Sequence, residues 1–344
     1  RNRKKSWAKR GVRVVIMYPM NALVSDQVSR LRRLIGDKDD KFLHVFREIC
    51  GNGARRPQFG MYTGRTPYPG EKSDSKQDKK LAKTLEEITV LDKDNQEFGE
   101  QLLDSGKVPA KKDLNKFIDN LKSGNHVTDS EDAELVTRFE MQKCTPDILI
   151  TNYSMLEYML LRPREKNIWN DTMQWLRSDA QNKLLFIIDE AHMYRGAAGG
   201  EVALLIRRLF HKLHIDRKQA QFILTTASMP SGEAEDKAVM KFACDLTAAD
   251  DSSHICYLKG ERAELKQTDL KNIPFSKFEE ADASCLEDET KRLNAVNQFW
   301  QGVPGAPGSF SDLPAAYNWL YNHLLSYAPF YKMIEKCRGT AVSL

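Results

Sequence analysis

The chain has 344 residues, of which 29% are charged and 41% hydrophobic, with a formal net charge of +4. Such a composition is typical of a globular protein with a sizeable core, and the small net charge neither requires nor excludes a nucleic-acid partner. The six cysteines contain no C-x-x-C pair, and no signal peptide or stretch of about 18 apolar residues is present, so we expect reduced thiols, a cytoplasmic location and no membrane partner.

The first part of the chain predicts two strands, each followed by a turn. A β-branched run over 12–18 predicts a strand, and apolar positions at helical spacing predict a helix over 22–34. A second short strand over 58–62 leads into a turn-rich segment at 63–67. Residues 70–140 are instead dominated by Lys, Asp and Glu, and we interpret them as a charged, partly helical insertion whose charges form a solvated face rather than a binding site.

Strands and helices alternate again after the insertion. Apolar runs predict three further strands, at 147–150, 184–188 and 221–224. Four or more strands alternating with helices predict an α/β fold with a doubly wound parallel sheet and right-handed crossovers. Beyond residue 232 the pattern weakens into four elements: a helix over 234–246, a strand-like run over 255–258, a Pro/Gly-rich linker over 302–308 and an aromatic-rich helical segment over 313–337.

The strand predicted at 184–188 has the most informative pattern, because its five apolar residues lead directly into Asp189, Glu190, Ala191 and His192. An apolar run without alternation predicts a strand buried on both faces, and open parallel sheets place their chemistry at the carboxyl ends of the strands. There, Asp189 can hold Mg²⁺ directly or through water, and Glu190 can orient an attacking water for phosphoryl transfer. The alternative is an ordinary strand that ends in an acidic turn.

Short polar side chains follow the other predicted strands, at Asn21, Thr63 and Ser154. Because the N-termini of helices bind phosphates, these side chains can contact a nucleic-acid backbone, or they can simply cap the helices. A row of such sites along one sheet edge would follow a single strand without reading its bases, which predicts sequence-tolerant, salt-sensitive binding. Arg65 either adds a charged contact or is a surface arginine.

Three histidines are candidates for a chemical role. His192 is placed to link the nucleotide site to Thr226 or Ser228 through hydrogen bonds, unless it is a packed core histidine. His211 and His214 form an H-x-x-H pattern on a predicted helix, but no third ligand is apparent, so we expect no metal site there.

Taken together, the polar segments at these strand ends resemble the motifs of the first RecA-like domain of superfamily 2 helicases of the DEAD/DEAH type, over residues 10–245. Asp189–His192 is similar to the Walker B box of that family. Three further segments resemble its nucleic-acid motifs, in the family's order: Pro19 and Asn21, then Thr63, Gly64 and Arg65, then Thr151, Asn152 and Ser154. The segment Thr226, Ala227 and Ser228 resembles the Ser-Ala-Thr element that couples hydrolysis to strand movement, with its hydroxyls kept and their order changed.

Several segments narrow the resemblance to the YprA-like helicases, a group that includes large bacterial helicases of phage-defence systems such as Druantia and DISARM. These segments are 18–34, 151–163 and 194–205. The resemblance implies a RecA-like fold, ATP and Mg²⁺ as cofactors, Asp189 as the residue that holds the ion through water, and Glu190 and His192 as catalytic residues. It also implies single-stranded or duplex DNA as a partner, together with other subunits of a defence complex.

The family's phosphate-binding loop, G-x-x-x-x-G-K-[ST], is absent from these 344 residues. The resemblance implies that this loop precedes Arg1 and that a second RecA-like domain follows Leu344. We therefore expect a fragment that is inactive by itself and that belongs to an ATP-dependent DNA helicase or translocase. Two alternatives stay open: a catalytically inactive RecA-like scaffold that binds nucleic acid or protein, and an RNA helicase.

The expected organisation has four parts. A first stretch of the RecA-like domain is followed by the charged insertion, by the rest of that domain with the DEAH box, and by a linker and helical segment that lead towards the second RecA-like domain. The bounds of these parts are 1–69, 70–140, 141–250 and 251–344.

Overall fold

The computed structural model describes residues 6–37, 39–68, 75–94, 96–226, 233–258, 270–282 and 284–337. The chain forms two compact units, Arg1–Tyr257 and Leu258–Leu344. No helix among the described residues is both long enough and apolar enough to cross a membrane.

In the described part of the chain, the first unit contains one six-stranded sheet in which all neighbouring strands are parallel. Its strands are β1 (Val14–Tyr18), β2 (Phe59–Tyr62), β3 (Glu134–Leu135), β4 (Ile148–Asn152), β5 (Leu184–Ile188) and β6 (Ala220–Leu224). Their order across the sheet is β3-β2-β4-β1-β5-β6, so consecutive strands are joined by crossovers rather than by hairpins. The predicted fold class, an α/β RecA-like doubly wound parallel sheet, is confirmed.

Helices cover both faces of this sheet. Those of the first unit are α1 (Asn21–Ile35), α2 (Lys41–Cys50), α3 (Ser75–Asp94), α4 (Gln96–Asp104), α5 (Leu114–Lys122), α6 (Arg138–Lys143), α7 (Tyr153–Leu161), α8 (Lys166–Arg177), α9 (Ala197–Leu213) and α10 (Glu233–Thr247). Alternate strand residues point to opposite faces: Leu149 packs into the large cluster formed with α7, α8 and α9, whereas Ile150 packs into a smaller cluster with α1. Burial on both faces explains why β1, β4 and β5 are continuous apolar runs.

The charged segment between β2 and β4 contributes to the core as well as to the surface. Its helices α3 and α5 pack on each other through side chains such as Leu85 and Phe117, as their apolar spacing predicts. The segment also supplies β3, which pairs with β2 and is too short for its sequence to show a period. Lys111 forms buried ion pairs with Glu140 and Asp132. The interpretation of the charges as a solvated face is therefore wrong for these three residues.

The second unit has a core of aromatic side chains. Its helices are α11 (Ser276–Glu279), α12 (Ser284–Glu287), α13 (Glu289–Trp300), α14 (Leu313–His323) and α15 (Ala328–Cys337). The ring of Trp300 lies 5.2 Å from that of Trp319 and 5.0 Å from that of Tyr327, measured between centroids. Trp319, Tyr327 and Phe330 therefore serve as packing groups, whereas Tyr317 and Tyr321 are exposed.

The structure adds to one expectation for the C-terminal part and corrects another. The Pro/Gly-rich segment predicted as a linker over 302–308 contains no helix or strand but is partly packed, because Val303 is buried and the Tyr327 hydroxyl donates to the carbonyl oxygen of Pro304 at 3.1 Å. Residues 255–258 form no strand, and Leu258 is exposed. A short apolar run becomes a strand only where a neighbouring strand satisfies its backbone groups, and no described strand pairs with this run.

Candidate functional site

The turn after β5 lies at the carboxyl edge of the sheet and is tied to both neighbouring strands. The backbone N–H of Asp189 donates to the carbonyl oxygen of Met17 in β1 at 3.1 Å, and that of Thr225 donates to Ile188 at 3.0 Å. The N–H of Ala191 in turn donates to the carbonyl oxygen of Thr225 at 2.9 Å. These bonds fix the backbone of the turn between the ends of β1 and β6.

Two carboxylates and an imidazole meet at this turn. Glu190 has a left-handed backbone (φ +50°), which is uncommon for a residue other than glycine and reverses the chain at the strand end. The Nδ1 atom of His192 lies 3.0 Å from Oγ1 of Thr226 and 3.2 Å from Oε2 of Glu190. The Thr225 hydroxyl donates to the carboxylate of Asp189. Thr225 is absent from the sequence-based prediction, although a hydroxyl residue at the end of a strand, directly before Thr226, is a signal that identifies it.

The site is open to solvent on one side and buried on the other. The side chains of Glu190 and His192 are 34% and 25% exposed, so a ligand can reach them. Tyr18, at the end of β1, is buried. Burial, together with the negative charge of Asp189, raises the pKa of Tyr18 to about 12. A cation bound at this strand end would offset the negative charge of Asp189 that acts on Tyr18.

The residues of the turn suit a magnesium ion that is shared with a nucleotide. Among the described residues, no group of three or more His, Cys, Asp or Glu side chains could hold a metal ion by itself, and His211 and His214 form no such group. Mg²⁺ usually keeps several waters and is bound by one or two carboxylates together with substrate phosphates. Asp189 and Glu190 provide carboxylate oxygens of this kind, so the donor set fits Mg²⁺.

The ends of β1 and β4 lie side by side and are joined by two asparagines. The Asn152 amide donates to the side-chain oxygen of Asn21 at 2.8 Å, and its own oxygen accepts the N–H of Met155 at 2.8 Å. Asn152 is therefore the N-cap of α7, whereas Asn21 begins α1 without capping it. Ser154 is exposed in the first turn of α7, and Pro19 is partly buried between β1 and α1.

In the turn after β2, residues 63–66, the two threonines are buried, and the two residues between them, which form the tip, are exposed. Thr63 is buried, and its Oγ1 accepts the N–H of Arg65 at 3.2 Å. The Oγ1 of Thr66, also buried, accepts the N–H of Thr63 at 2.9 Å. Gly64 and Arg65 are exposed. A ligand can therefore reach Gly64 and Arg65, whereas the Thr63 hydroxyl is used within the turn.

Of the remaining predicted residues, Thr151 and Thr226 belong to the part of the chain that the structure describes, and two others do not. The buried hydroxyl of Thr151 donates to the carbonyl oxygen of Tyr62 at 2.8 Å and so ties β4 to β2. Thr226 makes the imidazole contact given above. Ala227 and Ser228 lie outside the described residues.

Several known proteins are similar to this chain. The family model for DEAD/DEAH box helicases matches residues 109–236. Over 371 aligned positions, which cover 99% of the chain, the sequence is 36% identical to the Druantia protein DruE of Escherichia coli, of which it spans 20%. Over 98 positions, 28% of the chain, it is 28% identical to the uncharacterized ATP-dependent helicase MJ1574 of Methanocaldococcus jannaschii, of which the match spans 13%. No solved structure matches the chain.

Proposed function

We propose that this chain, which the family model for DEAD/DEAH box helicases matches over residues 109–236, is a motor segment of a DNA helicase or translocase that couples ATP hydrolysis to movement on single-stranded nucleic acid. The observation that carries this proposal is the turn after β5. There, Asp189 and Glu190 leave a buried parallel strand, and His192 connects the turn to the end of β6. Nucleotides bind at this edge in open parallel sheets.

In this proposal each residue of the turn has one role. Asp189, oriented by the Thr225 hydroxyl, would hold Mg²⁺ through water, and the ion would supply positive charge to offset that of the phosphoryl oxygens. Glu190, turned back by its left-handed backbone, orients the attacking water. The Nδ1 atom of His192 contacts both the carboxylate of Glu190 and the Oγ1 of Thr226, which places the imidazole between the reacting group and the end of β6.

The nucleic-acid contacts in this proposal come from less buried groups along the same edge. These residues are Pro19, Gly64, Arg65 and Ser154. The Gly64 N–H, the Ser154 hydroxyl and the Arg65 guanidinium can donate to phosphates without reading bases, whereas Pro19 has no N–H and can only pack against the strand. Binding should therefore be sequence-tolerant and should weaken as salt rises. Four further polar residues hold the backbone that presents these contacts: Asn21, Thr63, Thr151 and Asn152.

The test uses the full-length protein, because these 344 residues hold no G-x-x-x-x-G-K-[ST] loop. ATP hydrolysis is measured with and without single-stranded DNA, for the wild type and for Glu190→Gln. We expect DNA to stimulate hydrolysis, and we expect the substitution to lower the rate by about a hundredfold or more, as general-base positioning commonly contributes. The matched control is Glu87→Gln, at an exposed glutamate of α3, which should leave hydrolysis unchanged.

Each other outcome has a distinct meaning. Unchanged hydrolysis in Glu190→Gln removes Glu190 from the mechanism. DNA binding by a wild-type protein that hydrolyses no ATP indicates the inactive scaffold, and stronger stimulation by RNA than by DNA indicates an RNA helicase.

The similarity to the Druantia protein DruE supports one further part of the proposal, a role in bacterial anti-phage defence together with other subunits. The test is phage plating on cells that carry the complete native gene cluster. Glu190→Gln should abolish protection, and Glu87→Gln should preserve it. Full protection by both variants would contradict a role that depends on the motor.

A further inference from the structure

A buried arginine, Arg138, supports the backbone of the 63–66 turn. Arg138 begins α6 and is 3% exposed. Its Nη2 donates to the carbonyl oxygen of Thr63 at 2.7 Å, and its backbone N–H donates to that of Pro67 at 3.3 Å. The guanidinium also lies over the ring of Tyr62, 5.0 Å from its centroid. One residue therefore contacts the chain on both sides of the exposed tip.

The partners of Arg138 differ from those of other buried arginines of the unit. Arg13 and Arg32 form ion pairs with Asp147 and Glu134. Among the described residues, no ion pair is formed by Arg138, whose guanidinium instead contacts the Thr63 carbonyl oxygen and the Tyr62 ring. Because the contacts of this guanidinium lie at the 63–66 turn, they point to a positioning role there.

The hydrogen bond from Arg138 to the Thr63 carbonyl oxygen fixes the orientation of the Thr63–Gly64 peptide group. The Thr63 carbonyl oxygen also accepts the N–H of Thr66 at 3.1 Å, so two donors hold it. The Thr63–Gly64 peptide is trans, and its N–H therefore points opposite to its C=O, away from Arg138. A charged donor on the C=O polarises the peptide, which makes the N–H of Gly64 a stronger donor.

The tip also leaves room for a ligand close to its backbone. Gly64 and Arg65 are exposed, and a Cβ added at Gly64 would meet no atom within 4 Å. A phosphate group can therefore accept a hydrogen bond from the Gly64 N–H while the Arg65 guanidinium supplies positive charge.

We propose that Arg138 is a positioning residue for nucleic-acid binding: by holding the Thr63 carbonyl, it presents the Gly64 N–H and Arg65 to a phosphate of the bound strand. Arg138 itself does not touch the nucleic acid. This inference rests on the proposed function, because it takes the exposed tip as a phosphate contact.

The test measures binding of the full-length protein to a fluorescein-labelled oligodeoxythymidine by fluorescence anisotropy. Arg138→Met should weaken binding about tenfold, the effect of losing the hydrogen bond from the Gly64 N–H to a charged phosphate. Arg138→Lys keeps a charged donor and should restore part of the affinity. ATP hydrolysis without DNA should be unchanged in both variants, which a general loss of structure would not allow.

The matched controls are Arg56→Met and Arg56→Lys. Arg56 is 4% exposed and also donates to a backbone carbonyl, that of Ile35 at 2.9 Å. It pairs in addition with Asp40, and it precedes β2, whereas the 63–66 turn follows β2. Both control variants should bind DNA as the wild type does. Equal losses of affinity in Arg138→Met and Arg56→Met would overturn the positioning role.

Arg65→Ala separates the failure of this inference from the failure of the proposed function. If Arg65→Ala weakens binding and Arg138→Met does not, the positioning role is wrong and the proposed function stands. If the wild type binds and neither substitution weakens binding, the turn is not a contact and the inference fails. A wild-type protein that binds no oligonucleotide contradicts the proposed function itself.

Discussion

At the residue scale, the candidate site concentrates negative charge beside a buried phenol. Asp189 and Glu190 are adjacent carboxylates at the end of β5, and Tyr18 ends the neighbouring strand β1. Burial and the charge of Asp189 both disfavour the phenolate of Tyr18, which is why its pKa rises from 10.0 to about 12. The same residue therefore links the charge of the site to the stability of the sheet.

This shift predicts that stability falls in the alkaline range. Below the unfolded pKa of 10.0 Tyr18 is protonated in both states, but between that value and the folded pKa of about 12 it ionises first in the unfolded chain, which favours unfolding. Tyr18→Phe cannot ionise, so its free energy of unfolding should fall less between about pH 9 and about pH 11. Urea unfolding at the two pH values measures this. Tyr321→Phe, at a tyrosine that is 89% exposed, should behave as the wild type does, and a Tyr18→Phe chain that does the same would contradict the argument.

At the scale of elements, buried ion pairs join separate parts of the charged segment between β2 and β4. Burial lowers the pKa of Lys111, but the carboxylates of Glu140 and Asp132 outweigh it and hold that pKa above its ordinary value. Glu140 also accepts the N–H of Thr137 at 3.0 Å and so caps α6, the helix that begins with Arg138. One buried ion pair thus connects Lys111, between α4 and α5, to α6, the helix that supports the 63–66 turn.

Lys111→Met should destabilise the chain by about 3–5 kcal/mol, because it leaves two buried carboxylates without their cation. Chemical denaturation of the chain measures this change. Adding Glu140→Gln to Lys111→Met should recover part of the loss, because it removes one of the unpaired charges. Lys122→Met breaks an exposed pair with Glu86 and should have little effect. Equal effects of the two lysine substitutions would show that Lys111 is not a structural cation.

The bounds of the long strands can be predicted closely from the sequence, but the exposure of the site residues cannot. β4, β5 and β6 lie within two residues of their predicted bounds. The central strands β4 and β5 show apolar runs because both of their faces are covered, whereas the edge strand β6 is apolar over most of its length although Gln221 and Ile223 are exposed. β3 was not predicted, since its two residues are placed by pairing with β2, more than 70 positions earlier. The inward direction of the Thr63 hydroxyl depends in the same way on contacts within the folded turn, which the spacing of residues does not specify.

At the scale of the whole molecule, each of the two units has its own core, and the candidate site lies in the first. The core of the second unit depends on Trp300, which contacts aromatic rings from α14 and α15 and from the residue that precedes α15. Large aromatic groups provide most of the apolar area available to a unit of this size. The stability of that unit should therefore be sensitive to one side chain.

Trp300→Ala should destabilise the second unit by about 3–5 kcal/mol, the usual effect of removing a buried aromatic side chain. Amide hydrogen exchange, followed by mass spectrometry, should become faster in α13, α14 and α15. Tyr317→Ala removes an exposed tyrosine from α14 and should leave exchange in α13 and α15 unchanged. Unaltered exchange after Trp300→Ala would mean that the aromatic cluster does not hold these helices together.

The contact of His192 with two oxygens has a consequence for signalling within the first unit. Its Nδ1 faces Glu190 on one side and Thr226 on the other, and a ring nitrogen carries at most one proton. If this nitrogen carries the proton, Glu190 and Thr226 both act as acceptors for it; if it does not, it accepts the Thr226 hydroxyl and makes no hydrogen bond to Glu190. The protonation of one nitrogen atom therefore decides whether Glu190 is its partner in addition to Thr226. In the proposed motor, a ligand that binds the Glu190 carboxylate would change the hydrogen bond that His192 makes at the end of β6.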